Sequence, residues 1–340
     1  MKKIVGFGDL LLSLSPVGYR KFTQADSMEV NYTGAEANVC VSLARFGMDV
    51  DFVTRVPNND IAECAVAMLR KFNVGTSKIV TGGDRLGLIY TEKGASQRSS
   101  RVVYDRKPSS FSTAKIGDFD WDAIFSNAEW FHFTGITVAL SDSCAALCKQ
   151  ACIAARARGI RVSCDLNYRK NLWNREKTKS DMEELVCYCD LLIGNEEDAD
   201  KVLSIKAADT DVIAGKLSRV GYEDVARQIC SRFGVKQAAF TLRESISASD
   251  NNWSAMFYQN GEAYFSKKYA MHIVNRVGGG DAFTAGLIYA LMNSYEPQRA
   301  VEFATAASCL KHTIELDFNL VTLDEVEKLA GGDGSGRVQR

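Results

Sequence analysis

Two textures alternate along the chain. Short runs rich in β-branched and aromatic residues lead into stretches whose apolar positions recur three and four residues apart, the mark of strands feeding amphipathic helices. On this basis 3–14 reads as a strand, 35–46 as a helix closed by Gly47, 50–56 as a strand and 61–72 as a helix. The pattern resumes with strands at 130–134, 161–165, 191–193 and 237–242, and with helices at 143–158, 196–203 and 222–233. Such strand–helix–strand repeats predict an α/β fold: a doubly wound, mostly parallel sheet flanked by helices, with ligands outside the carboxyl ends of its strands. Segments 11–33 and 86–106 break the pattern. In the second, Leu88-Ile89-Tyr90-Thr91 and Arg101-Val102-Val103-Tyr104 flank a polar stretch, so both segments read as antiparallel excursions forming a small inserted β-sheet, a lid over the ligand face. A further hairpin over 254–267 turns at Asn260-Gly261, a dipeptide suited to a type I′ turn, and belongs at the sheet edge. One domain over 1–330 accommodates these elements, followed by a Gly-rich tail at 331–340 with little side chain to bury, expected to be mobile.

Composition narrows the function classes. The chain has 340 residues, enough for a sizeable core, with 46% hydrophobic and 24% charged, the make-up of an ordinary globular protein. Its 41 basic and 42 acidic residues leave a net charge of -1, so no general positive field exists to hold a nucleic acid, and an anionic ligand needs a local site. The longest apolar stretch, 282–292, is well short of the ~18 residues of a membrane span. The opening Met1-Lys2-Lys3-Ile4-Val5 imitates a signal peptide, but Asp9 interrupts it, and it reads as the first strand. Ten cysteines include no CxxC pair, and His132, His272 and His312 lie far apart, which speaks against zinc. Cys144, Cys148 and Cys152 share one helix face and read as small core residues; reduced thiols without a secretion signal favour the cytoplasm.

The chemistry concentrates in Arg276-Val277-Gly278-Gly279-Gly280-Asp281, which opens an apolar helix. Glycines let successive amides turn toward one point, and the positive end of the helix dipole adds to them, making an anion cradle. Asp281 falls in the first helical turn, where spacing is equally compatible with a helix cap and with a catalytic base. Rival motifs are missing. No GxxxxGK[ST] occurs, Gly6-Phe7-Gly8 lacks the third glycine of a dinucleotide fingerprint, and no HExxH or GxSxG is present.

These features, together with Gly8-Asp9, Gly34-Ala35-Glu36-Ala37-Asn38, Tyr104-Asp105-Arg106, Asp165-Leu166-Asn167-Tyr168-Arg169, Asn195-Glu196-Glu197-Asp198 and Lys311-His312-Thr313-Ile314, run through nearly the whole chain. In them the sequence resembles the pfkB (ribokinase-like) carbohydrate kinases, most nearly those that phosphorylate the 6-hydroxyl of 2-dehydro-3-deoxy-D-gluconate with ATP. The resemblance implies a ribokinase-like fold, Asp281 as the base that takes the hydroxyl proton, and Gly278, Gly279 and Gly280 as the amides that stabilise the transferred phosphoryl group. ATP would lie near Asn195, Thr241, Gly278 and Gly280. Magnesium would ride on its phosphates, helped through water by Asp198. For the acid, Arg106 and Arg169 are expected to take the carboxylate, Tyr90 and Tyr104 to donate to carboxylate or keto oxygen, and Asp9, Gly34, Asn38 and Asp317 to meet hydroxyls.

Three positions depart from the family pattern. Asn275 stands where Asp is usual, and Leu316 where Gly is usual. In place of Thr-Leu-Gly the chain has Thr241-Leu242-Arg243, whose Arg243 fits a phosphate contact or a solvated loop equally. A kinase of a neutral sugar such as fructose has no use for paired arginines. A catalytically impaired sugar-acid sensor would explain the substitutions but not the intact Asp281, and a dehydrogenase lacks its fingerprint. Exposed edges of the lid suggest a homodimer or higher oligomer.

Overall fold

The computed structural model describes residues 3–172, 175–195, 197–206 and 219–336. Glu196 and the end of the tail, 337–340, lie outside them.

Strand Lys3–Phe7 sits inside the large sheet, parallel to Asp49–Val53 on one side and to Ala128–Thr134 on the other. Arg161–Asp165, Leu191–Asn195 and Gln237–Ser245 follow in parallel, and Asp250–Gln259, flanked by Glu262–Phe265 and Tyr269–His272, completes the sheet antiparallel. The sheet is covered on both faces, so its strands read as continuous apolar runs whose members alternate between two cores. Val5, Phe7, Phe131 and Phe133 pack into one core, whereas Ile4, Phe52, Trp130 and Ile193 pack into the other. The first core receives helices Asp142–Ala157 and Arg219–Phe233; the second receives Ala35–Arg45, Gly279–Met292 and Pro297–Lys311. Cys144, Cys148 and Cys152 are buried in the first core, and all ten cysteines are free thiols. Among the described residues no helix is long and apolar enough to cross a membrane.

The predicted 3–14 strand is in fact two. It breaks at Gly8, where a Cβ would stand 2.1 Å from Glu36 Oε2, and Leu11–Pro16 leaves the large sheet for the small one. The predicted 50–56 strand likewise splits, Arg55–Val56 pairing with Val80–Thr81. Helix Arg175–Val186, which the hydrophobic pattern does not predict, joins Arg161–Asp165 to Leu191–Asn195; among its described side chains Met182, Leu185 and Val186 are buried, too short a stripe to declare a period. The hairpin is as expected: Gln259 pairs with Glu262, and Asn260 and Gly261 between them take φ of 54° and 86°.

The small sheet has four strands, ordered Met28–Thr33, Leu11–Pro16, Gly87–Glu92, Arg101–Asp105. Two of its pairings are antiparallel, but Leu11–Pro16 runs parallel to Gly87–Glu92. Each excursion is therefore an antiparallel pair, as expected, and the two pairs meet side by side through a parallel contact whose strands are joined by a long crossover through the large domain.

Candidate active site

A cavity of about 530 Å³ lies between the carboxyl ends of the parallel strands and the inner face of the small sheet. Its floor is the turn into helix Gly279–Met292. Gly278 takes φ 81°, and a Cβ there would meet the Asp317 carbonyl oxygen at 2.2 Å; at Gly279 it would meet the His312 ring at 2.3 Å. At Gly280 nothing stands within 4 Å, so this position opens into the cavity. The first intrahelical bond runs from Ala282 N to Gly278 O, which leaves the preceding amides free for an anion.

Asp281 is buried in the wall of the cavity. Its Oδ2 accepts a hydrogen bond of 2.7 Å from Asn38 Nδ2, and the residue lines the cavity while only 9% exposed. Burial raises its pKa to about 7, against the Asn38 bond and the nearby Arg169 charge, which pull it down. A carboxylate poised near neutrality and facing a cavity has the properties a general base needs.

The Gly34–Asn38 stretch is arranged to deliver that Asn38 bond. A Cβ at Gly34 would collide with the Asp9 carbonyl oxygen at 2.3 Å, and Asn38 Oδ1 accepts from Thr33 Oγ1 at 3.3 Å. Glu36 anchors the helix start: its Oε1 accepts from Thr134 N, Thr134 Oγ1 and Thr137 Oγ1 at 3.0, 2.8 and 2.6 Å. Burial nevertheless raises the Glu36 pKa.

Positive charge surrounds the cavity. Arg106, at the end of the small sheet, gives Nε to Asp9 Oδ2 at 3.2 Å, and both side chains are almost fully buried. Asp9 also accepts from Ser109 Oγ; its pKa rises to about 6 because burial outweighs the Arg106 charge. Arg169 lines the wall beside three carboxyls, Asp165, Asp198 and Asp281, whose pKa values its charge lowers against the stronger effect of burial. At the other end Arg243 and Arg276 lie close enough that each contributes to holding the His312 pKa down at about 4, after burial. Arg276 donates to the Ser247 and Ala248 carbonyls at 3.1 Å, so it is fixed in place.

Gly34, Asn38, Tyr104, Arg106, Arg169, Asn195, Asp198, Thr241, Arg243, Gly278, Gly279, Gly280 and Asp281 all line this one cavity. Three expected residues do not. Asp9 is behind the wall, holding Arg106. Tyr90 pairs with Val103 while Tyr104 pairs with Ile89, so the two tyrosines point to opposite faces of the small sheet, and Ile89 and Thr91 face the cavity instead. Asp317 sits under the Gly278 turn near Thr33 and Lys311; burial raises its pKa.

The departures now have structural outcomes. Asn275 Oδ1 accepts from Val277 N at 2.9 Å, so the amide carries out the turn-forming role without a charge. Leu316 takes φ 62°, the left-handed region a glycine would favour. Residues to which the sequence assigns no individual role also matter: Arg276, at the head of the glycine motif; Lys93, which lines the cavity and pairs with Glu315 on the large domain; and Lys311, whose pKa burial lowers to about 8. The tip of the small sheet reaches the opposite rim, where Ala248 N donates to Ser96 O at 2.7 Å and Ser96 N donates to Ser249 Oγ at 2.9 Å.

Among the described residues no three His, Cys, Asp or Glu side chains converge into a metal cage. Asp198 directs Oδ2 at Asn195 N and Oδ1 at Tyr168 N, 2.8 and 3.0 Å away, tying two strand ends together. With Asp165 and Glu197 it gives the wall a negative sector beside the cradle. That donor set suits a hydrated cation carried in by a polyphosphate better than a resident one.

Comparison with known proteins agrees with this architecture. A solved structure of 2-dehydro-3-deoxygluconokinase from Thermotoga maritima superposes with a TM-score of 0.94 at 46% identity, covering 98% of this chain and 100% of that one. A Haloferax volcanii protein described as 2-dehydro-3-deoxygalactonokinase is 28% identical over 332 residues, 97% of this chain and 98% of its own length. A Clostridium perfringens 5-dehydro-2-deoxygluconokinase is 24% identical over 310 residues, 90% of this chain and 86% of its own length. The pfkB family carbohydrate kinase model matches residues 1–314, and the chain belongs to that family of carbohydrate kinases.

Proposed function

We propose that this kinase transfers the γ-phosphoryl group of ATP to the 6-hydroxyl of a keto-deoxy sugar acid, most nearly 2-dehydro-3-deoxy-D-gluconate. The observation that carries the substrate class is the presence of two guanidinium groups, Arg106 and Arg169, in the same cavity as the buried Asp281. Each has N–H groups beyond those its protein partners take: Arg106 gives Nε to Asp9, and Arg169 gives Nη1 to the Tyr168 carbonyl. A neutral sugar leaves such donors unmatched, whereas a carboxylate accepts them in pairs. The relatives' names support an acid and differ in which one.

In this reading the 6-hydroxyl lies between Asp281 and the glycine turn. Asp281 takes the hydroxyl proton as the oxygen attacks the γ-phosphorus, and the bond to the β,γ-bridging oxygen breaks, releasing ADP. The amides after Gly278 stabilise the charge on the phosphoryl oxygens, and Arg243 and Arg276 hold the phosphate tail. Asn195 and Thr241 border the nucleotide. Magnesium on the phosphates would neutralise charge beside Asp165 and Asp198. The small sheet acts as a lid that excludes water.

We extend the proposal to a second copy of the chain, seated on the outer face of the lid. Val30 pairs with Leu14, Leu14 with Tyr90 and Tyr90 with Val103, making an apolar row across four strands, and Val30 is 61% exposed. The apolar face, rather than the sheet edges, is what a partner would cover; the mass in solution checks it.

The function is tested by ADP release with Mg-ATP against 2-keto-3-deoxygluconate, 2-keto-3-deoxygalactonate, 5-keto-2-deoxygluconate, gluconate, fructose and ribose. Turnover confined to the keto-deoxy acids upholds the reading, and their ranking fixes the substrate. Preference for fructose or ribose removes the carboxylate role of the arginines, and binding of the acid without turnover makes the protein a sensor.

A further inference from the structure

We propose that Lys311 is a positioning residue for phosphoryl transfer: its buried ammonium holds Leu316 in a left-handed turn and so seats the Asp317 carbonyl against Gly278, the first residue of the cradle. This rests on reading Gly278–Gly280 as the phosphoryl cradle.

Lys311 is the last residue of helix Pro297–Lys311, is 0% exposed and does not line the cavity, so it is not placed to touch a ligand. Among the described residues no carboxylate comes within ion-pairing distance of its Nζ. Its hydrogen bonds go to main-chain carbonyls instead, Leu316 O at 2.9 Å and Ile314 O at 3.3 Å. An ammonium buried at the expense of its hydration and directed at two carbonyls of one loop is suited to fixing the shape of that loop.

The loop needs such fixing. Leu316 at φ 62° occupies a region that costs a residue with a Cβ roughly 1–2 kcal/mol, and its side chain is only half-buried. The very next carbonyl, that of Asp317, lies 2.2 Å from where a Gly278 Cβ would be, and Lys311 Cε lies 3.2 Å from the same point. Lys311, Leu316, Asp317 and Gly278 thus form a continuous contact chain. Relaxing Leu316 toward negative φ would swing the Asp317 peptide and remove the backing of Gly278, whose amide neighbours must aim at the transferred phosphoryl group within a fraction of an ångström.

The test compares kcat and KM for wild type, Lys311→Met, Leu316→Gly, the double variant and Leu316→Val, with thermal melting measured in parallel. Lys311→Met should lower kcat about 100-fold while the KM for the acid stays within about threefold. Leu316→Gly, which takes the turn unaided, should restore about tenfold of that loss in the double variant and change the parent less than about threefold. Leu316→Val, which resists the turn while keeping Lys311, should by itself lower kcat about tenfold. Absence of rescue by Leu316→Gly, or wild-type turnover in Leu316→Val, overturns the proposal. A merely structural lysine would lower melting and both kinetic parameters together, with no recovery from the glycine. Should Lys311→Met not fold, the contrast between Leu316→Val and Leu316→Gly carries the test. A wild type that phosphorylates nothing on the panel refutes the cradle reading, whereas an active wild type with normal variants refutes Lys311 alone.

Discussion

At the floor of the cavity, Gly278, Gly279, Gly280 and Asp281 follow one another along the chain, and a turn and the first residues of a helix suffice to arrange them. At the roof, Ile89, Thr91, Tyr104 and Arg106 come from two strands of a sheet whose middle pair is parallel and far separated in sequence. A local turn carries its geometry with its residues. A sheet face is set by register, and one step of register exchanges every inward side chain for its neighbour. Chemistry on the floor is therefore tied to residue identity, and specificity on the roof to strand parity.

Removing the proposed base is the sharpest trial of the floor. Asp281→Ala should lower kcat by about 10³-fold while binding of the acid, followed by calorimetry, changes by less than about threefold. Turnover like that of the wild type would leave the turn as an anion site without a base. The pH dependence belongs to the same residue. With a pKa near 7 in the free protein, Asp281 acts as a base once deprotonated, so kcat/KM should rise through pH 7 and level off above it. Stability moves the other way: the pKa is raised above the unfolded 3.8, so the contribution of this group is complete at low pH and is lost as pH climbs through 7. Asp281→Asn, which cannot ionise, should accordingly melt higher than wild type at pH 8, with the gap narrowing at pH 5.5.

Where floor and roof meet, Arg169→Ala should raise the KM for the keto acid about 50-fold and that for ATP by less than about threefold, the usual worth of one charge-assisted pair. Equal losses for both substrates would make Arg169 a general electrostatic support for Asp165, Asp198 and Asp281. The smallest effect tests parity itself. Tyr104→Phe should raise the KM for the acid about fivefold, and Tyr90→Phe should leave it within about twofold. The reverse ranking would mean that the outer face of the lid takes part in substrate binding.

Sequence periodicity reveals the large sheet because its strands are buried on both faces and bounded by helices of strong period. Even there it runs Lys3–Phe7 into Leu11–Pro16, since what separates them is the close approach of Glu36 to Gly8, a tertiary contact with no local mark. The cradle, Asn38 and the two arginines are legible as residues because the resemblance is carried by contiguous motifs. Tyr90 is misassigned for a different reason: aromatic character marks a strand, but only the pairing of Leu88 with Asp105 and Glu92 with Arg101 says which face each residue takes. Asp9 and Asp317 are polar and near the site in sequence, yet buried one shell away, supporting Arg106 and the Gly278 turn. Arg276 is legible as the residue that leads into the glycines, though not its contact with the Ser247 and Ala248 carbonyls, and Lys93 carries its own signal in sharing the parity of Ile89 and Thr91.

The bridge from Ser96 to Ala248 and Ser249 joins the tip of the small sheet to the large domain across the rim of the cavity. Two hydrogen bonds at about 1 kcal/mol each favour the joined rim over the parted one by roughly thirtyfold. The serine-rich tip, chemically plain, thus ties the small sheet to the large domain at the rim opposite its hinge strands.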